Sequence, residues 1–199
     1  MLVLPPQLLA AILSIFLFLV LCAALVLIVV SLRRPTPLPL VIAGIMVVFG
    51  LVVVAISPVK IPVLIGMVLG LLGVAVAVLG GNPVTRRVLE VATGGRVRET
   101  EDGGIVVSVP ASGTTVGDDD TVRTLMRGGT VIGYLERVSV VVSIIAGFPE
   151  AIAVVVAVKG IGRFPEFAAS EARERFIIGT LASLLWAAAV GGLIRLAIW

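Results

Sequence analysis

The sequence predicts an all-α, multi-pass helical membrane protein, and three observations carry that reading. Of 199 residues, 59% are hydrophobic and only 14% charged, with 22 glycines besides. A soluble domain of this length has too little interior to hide so much apolar side chain and too few charges to cover its surface. The apolar residues fall in runs of about 20, the length that crosses ~30 Å of hydrocarbon. The charges fall between the runs, and mean hydropathy is +1.23.

The same composition narrows the chemistry. There is no histidine, and Cys22 is the single cysteine. No zinc, haem or iron–sulfur ligand set is expected, so no cofactor and no metal, and no catalytic residue is assigned. Net charge is +3, with basic residues flanking apolar runs instead of forming a nucleic-acid-binding patch. The expected partners are the lipid bilayer and a second copy or another membrane protein. The first seven residues lack a basic residue and the following apolar run, Leu8–Val30, exceeds a signal-peptide core, so this run reads as an uncleaved first span.

Three regions follow. Residues 1–81 form an N-terminal three-helix membrane region. Leu8–Ser31 ends at Arg33-Arg34-Pro35, Pro37–Ile56 carries no charge, and Ile61–Leu79 follows a tight turn at Ser57-Pro58-Val59-Lys60. The third run contains Gly66, Gly70 and Gly73, a small-residue face suited to close helix packing, within the chain or against a second copy.

Residues 82–128 form a polar cytoplasmic segment. Asn82-Pro83 reads as the start of a short surface helix that stops at Gly94-Gly95. Arg96–Thr100 and Ile105–Val109 flank Glu101-Asp102-Gly103-Gly104 as a β-hairpin, and Pro110–Asp120 follows as a loop. Asp118-Asp119-Asp120 lacks the surroundings of a cation-binding loop.

Residues 129–199 form a C-terminal membrane hairpin plus a final transmembrane helix. A single helix across 131–158 would bury Glu150 and carry Lys159, Arg163, Arg173 and Arg175 to the side opposite Arg86 and Arg87, against the positive-inside rule. A hairpin turning at Gly147-Phe148-Pro149 keeps 13 of the 15 basic residues on one side. Its arms, of about 16–18 residues, are slightly short for a crossing at 1.5 Å per residue, leaving tilted, re-entrant and bilayer-thinning arrangements open.

Antiparallel arms about that turn put Glu136 level with Lys159. Glu136 and Arg137 point ~100° apart on one helix and so neutralise each other poorly. A charge cluster of Glu136, Arg137, Lys159 and Arg163 is therefore expected inside the membrane, either as a polar site for a solute, proton or headgroup or as a structural ion pair with snorkelling side chains. Glu150 is expected at the interface, and Arg195 beside Trp199. A short interfacial helix beginning at Pro165 is expected to lead into the last span, Phe176–Trp199, where Gly179, Thr180 and Ser183 offer small and hydroxyl-bearing contacts.

Three spaced segments, Ile132-Gly133-Tyr134-Leu135-Glu136-Arg137, Lys159 followed by Arg163-Phe164, and Gly179-Thr180-Leu181-Ala182-Ser183, resemble a C-terminal membrane module of uncharacterised bacterial integral membrane proteins (an IGxLER segment, a K-x3-RF segment and G[TS]xxS). The resemblance spans about residues 129–199. It implies a bacterial inner-membrane protein and points to Glu136, Arg137, Lys159 and Arg163 as motif residues, without implying an activity. Thirteen arginines against two lysines among the 15 basic residues suit a GC-rich bacterial genome. The functional expectation is a non-catalytic membrane subunit or scaffold. The alternative is a small-solute or ion permease with its site at Glu136 and Lys159.

Overall fold

The computed structural model describes residues 5–33, 36–92, 129–162 and 170–199. Among them the chain is all-helical: α1 (Pro6–Arg33), α2 (Leu38–Ile56), α3 (Val63–Ala92), α4 (Gly129–Ala146), α5 (Ala151–Gly162) and α6 (Ser170–Ile198). The expected β-hairpin at 96–109 and the loop at 110–120 lie outside the described residues.

Five of these helices are long and apolar enough to cross a membrane, and α5 is a shorter apolar helix. At 28, 30 and 29 residues, α1, α3 and α6 reach ~42–45 Å, more than the hydrocarbon thickness. They therefore carry their terminal charges beyond it. Successive helices alternate in direction up to α4. One end of the bundle gathers Arg33, Arg86, Arg87, Arg173 and Arg175, and the other gathers Lys60, Glu150 and Arg195.

α3 and α6 form the centre. α1 and α2 pack on one side of them, α4 on the other, and α5 lies outermost against α4. The core is Leu17, Leu21 and Ile28 from α1, Val47 and Val54 from α2, Leu69 and Val76 from α3, Val140 and Val141 from α4, and Val190, Leu193 and Ile194 from α6. Large apolar side chains such as Leu64, Leu71 and Leu185 face outward, as lipid-contacting positions should. In lipid, packing and hydrogen bonds hold such a bundle together more than water exclusion does.

The small-residue face of α3 is occupied within the chain. A Cβ on Gly73 would lie 3.1 Å from Ile194, and one on Gly80 would lie 2.7 Å from the Trp186 ring. The missing side chains let α6 approach, and Trp186 Nε1 reaches the Val76 carbonyl at 3.3 Å.

Three expectations about segments need correction. The third span does not stop at Gly80-Gly81: α3 runs unbroken through Asn82 and Pro83 to Ala92. Asn82-Pro83 has the composition of a helix start. Within a membrane, however, a proline can be carried mid-helix when neighbouring helices and local adjustments re-satisfy the backbone groups it frees, and α4 packs alongside this stretch, with Arg137 donating to the Val78 carbonyl. The second arm of the hairpin is only 12 residues, ~18 Å, instead of 16–18 residues. Finally, Ser170–Arg175 continues directly into the last span as one helix, while Arg163–Ala169, including the expected helix start at Pro165, lies outside the described residues.

Candidate functional site

α4 carries two adjacent charged residues, and the structure assigns them opposite directions. Arg137 points inward to α3 and α6. Glu136 points toward α5. Both are buried, at 3% and 7% relative exposure, about two turns, ~10 Å, along α4 from Gly129.

Arg137 uses its planar fork on three neutral acceptors. Nε donates to Ser183 Oγ at 2.8 Å, one terminal nitrogen to the Val78 carbonyl at 3.0 Å, and the other to Asn82 Oδ1 at 2.7 Å. A single side chain thus ties α4 to both central helices. Gly81 makes room for it, because a Cβ there would fall inside the guanidinium. Pro83 fits the same arrangement. It has no N–H for the Leu79 carbonyl, and Arg137 approaches this stretch of backbone by donating to Val78 one residue earlier.

Glu136 receives Lys159. Lys159 Nζ donates to Glu136 Oε2 at 2.5 Å, with side-chain exposures of 17% and 8%. This is the pairing that the register of the hairpin gives. The turn between the arms is formed by Gly147 in the left-handed region, φ +79°, followed by Phe148-Pro149-Glu150, and Glu150 is exposed. The second oxygen, Glu136 Oε1, is buried without a hydrogen-bond partner among the described residues. Arg163, the fourth expected member of the cluster, lies outside the described residues.

At the opposite end of the bundle, Lys60 and Arg195 serve helix termini. Lys60 Nζ donates to the Leu196 carbonyl at 2.8 Å and the Ile61 N–H to Ala197 at 2.9 Å, closing the end of α6. Arg195 donates to the Ile145 carbonyl at 3.0 Å, closing α4, while its guanidinium lies 5.7 Å from the centre of the Trp199 ring. Cations at helix C-termini complement the partial negative charge there. Arg195 is thus beside Trp199 as expected, but it also has a backbone partner that sequence reasoning missed.

Reasoning from sequence also missed Asn82 and Val78 as partners of Arg137. Gly80-Gly81-Asn82 held the signal: two side-chain-free positions followed by an amide on an otherwise apolar helix make a recess that a long polar side chain can enter. Among the described residues no cluster of three metal-ligating side chains occurs. No protein-family model, curated protein or solved structure matches the chain, so any functional reading rests on this geometry.

Proposed function

We propose that the chain is a non-catalytic membrane subunit or scaffold. The observation that carries this reading is the Arg137 node. The most deeply buried charge among the described residues spends its fork on Ser183, Val78 and Asn82, fixed acceptors of two neighbouring helices. Lys60 and Arg195 likewise bind backbone carbonyls. Charge here is used to hold helices in place. Two surface crevices support the same view, one lined by Leu9, Ile12, Phe16, Val53 and Pro58, the other by Ile15, Phe18, Ile65 and Val68. Both are apolar surfaces suited to acyl chains.

Positive-inside reasoning puts the arginine-rich end, with residues 82–128, in the cytoplasm of a bacterial inner membrane and both termini outside. The partner of such a scaffold is a second copy or another membrane protein, engaged through the cytoplasmic segment. Deleting 96–120 is expected to leave membrane abundance unchanged and to abolish co-purification of the partner found with the intact chain. Loss of abundance together with retained association would overturn the reading.

A second reading, a small-solute or ion permease, is favoured by one observation: Glu136 Oε1 is buried without a partner. It requires Glu136→Gln or Lys159→Met to abolish flux in vesicles at normal abundance. In a purely structural pair, either single change lowers abundance and the double change partly restores it.

A further inference from the structure

The height of the apolar surface differs around the bundle. On α2 the 19 residues from Leu38 to Ile56 hold no charge, so this side presents ~28 Å of apolar helix, close to the thickness of the hydrocarbon. α6 gives the same measure, since Arg175 and Arg195 stand ~30 Å apart along it. On α5, the outermost helix, the apolar run covers only residues 151–158 before Lys159, ~12 Å.

α5 is nonetheless held in place. Ile152, next to the turn, packs against the core, and Lys159 donates to Glu136 on α4. Arg137, the neighbour of Glu136, binds Ser183, which lies ~12 Å along α6 from Arg175. The ion pair therefore stands well inside the hydrocarbon, and its lysine keeps 17% of its side chain exposed there. Val154, Val158 and Ile161 face outward, and a Cβ on Gly160 or Gly162 would meet nothing within 4 Å, so the outward side of α5 is left to lipid. On α4 the exposed Val131, Ile132 and Leu135 continue the apolar surface past Glu136, which confines the break to α5.

Acyl chains do not solvate charge, and a bilayer meets a short apolar wall by thinning. At α5 the polar layer is thereby drawn in toward Lys159, whose ammonium is a point charge suited to a phosphate. From there Glu150, exposed at the other end of the helix, is ~14 Å away along the axis. What resists exchange of a phospholipid between leaflets is the passage of its polar headgroup through hydrocarbon, and this edge shortens that passage to about half of the ~30 Å found elsewhere.

We propose that the α5 edge is a phospholipid-scrambling site. The headgroup of a glycerophospholipid crosses between leaflets along α5, between Lys159 and Glu150, while its acyl chains stay in the bilayer. No bond is made or broken, and transfer runs in both directions. This activity goes beyond the scaffold reading and needs neither a solute pathway nor an enclosed pocket.

The test reconstitutes the full chain into phosphatidylcholine vesicles that carry a trace of headgroup-labelled fluorescent phosphatidylethanolamine in both leaflets. The membrane-impermeant reductant dithionite is then added. Protein-free vesicles lose the outer half of the fluorescence. Vesicles with the protein are expected to go on to lose the inner half, while a fluorescent sugar trapped in parallel vesicles keeps its signal. Gly160→Leu with Gly162→Leu has room for the new side chains and adds apolar bulk beside Lys159, so it should slow the second phase severalfold. Glu136→Leu with Lys159→Leu, which removes the charge, should do the same, and the glycine pair decides the matter if this double variant does not fold. Gly44→Leu on α2, also with nothing within 4 Å, should leave the rate unchanged. Bleaching that stops at half overturns the proposal, as does loss of the trapped sugar's signal, because dithionite would then be entering through a pore. A second phase equally fast in the glycine pair, or slowed as much by Gly44→Leu, places lipid exchange elsewhere and overturns it too.

Discussion

At the residue scale, Arg137 and the space that admits it form one unit. Removing the Ser183 hydroxyl leaves one guanidinium N–H without its acceptor. Interhelical hydrogen bonds in membranes are worth about 0.6 kcal/mol on average and about 1.7 at most, so Ser183→Ala is expected to cost about 1 kcal/mol. Gly81→Ala is a different perturbation, because its methyl group would occupy the guanidinium's place and displace all three bonds together. Overpacking of this kind costs about 1–3 kcal/mol before the lost bonds are counted. Thermal unfolding in detergent should therefore rank wild type above Ser183→Ala and Ser183→Ala above Gly81→Ala. A Gly81→Ala protein as stable as wild type would mean that Arg137 is not held as described. Very little of this unit was legible in the sequence. The burial cost of a charge singles out Arg137, but its acceptors are 46 to 59 positions away, and nothing local records which carbonyl a neighbouring helix will offer.

At the element scale, what the sequence revealed depended on whether the signal was local. Spans α1, α2 and α4 are apolar runs with charged or proline-bearing ends, and their limits are readable to within about two residues, the usual uncertainty of helix ends. The hairpin between α4 and α5 was readable because Gly147-Phe148-Pro149-Glu150 breaks the run and because charge sidedness rejects the alternative. The meeting of Glu136 with Lys159 follows from that register alone. Asn82-Pro83 misled because the same dipeptide that opens a helix in water can be carried through one when α4 packs alongside. The turn itself gives a sharp expectation. A side chain at Gly147 would have to adopt φ +79°, costing about 1–2 kcal/mol, and its Cβ would lie 2.7 Å from the Arg195 guanidinium. Gly147→Ala should destabilise the protein clearly, whereas Gly44→Ala, inside α2 with nothing within 4 Å, should be neutral or stabilise by up to about 1 kcal/mol. Equal unfolding temperatures for the two variants would contradict this account of the turn.

At the scale of the whole molecule, the charge distribution defines two faces. Val91, exposed near the end of α3, and Phe148, exposed in the hairpin turn, mark opposite ends of the bundle. In a Cys22→Ser background, Val91→Cys should react with a membrane-impermeant thiol reagent only after cells are permeabilised. Phe148→Cys should react in intact cells. The reverse pattern would invert the proposed orientation while leaving the fold intact, and labelling of both positions in intact cells would refute a spanning arrangement. The expectation of this polarity comes from the sequence, since positive-inside reasoning uses where arginines lie relative to apolar runs and nothing finer. Which helix occupies the middle of the bundle is a different matter, because α3 and α6 are no more apolar than α1 or α2.

That central position has a consequence for biogenesis. α6 is the last of the six helices to be synthesised, yet it fills the recess along α3, supplies Ser183 to Arg137 and closes α4 through Arg195. Until it enters the bilayer, the glycine face of α3 has Ile28 of α1 at Gly80 and Ile145 of α4 at Gly70 but none of its α6 contacts, and α4 carries an arginine lacking one of its acceptors. The nascent chain therefore spends much of its translation as an incomplete set of spans that a membrane chaperone or quality-control protease can recognise. Completion of the centre is therefore a late event, and a ribosome stalled before residue 183 should yield a product that is cleared from the membrane in pulse–chase labelling faster than the full chain.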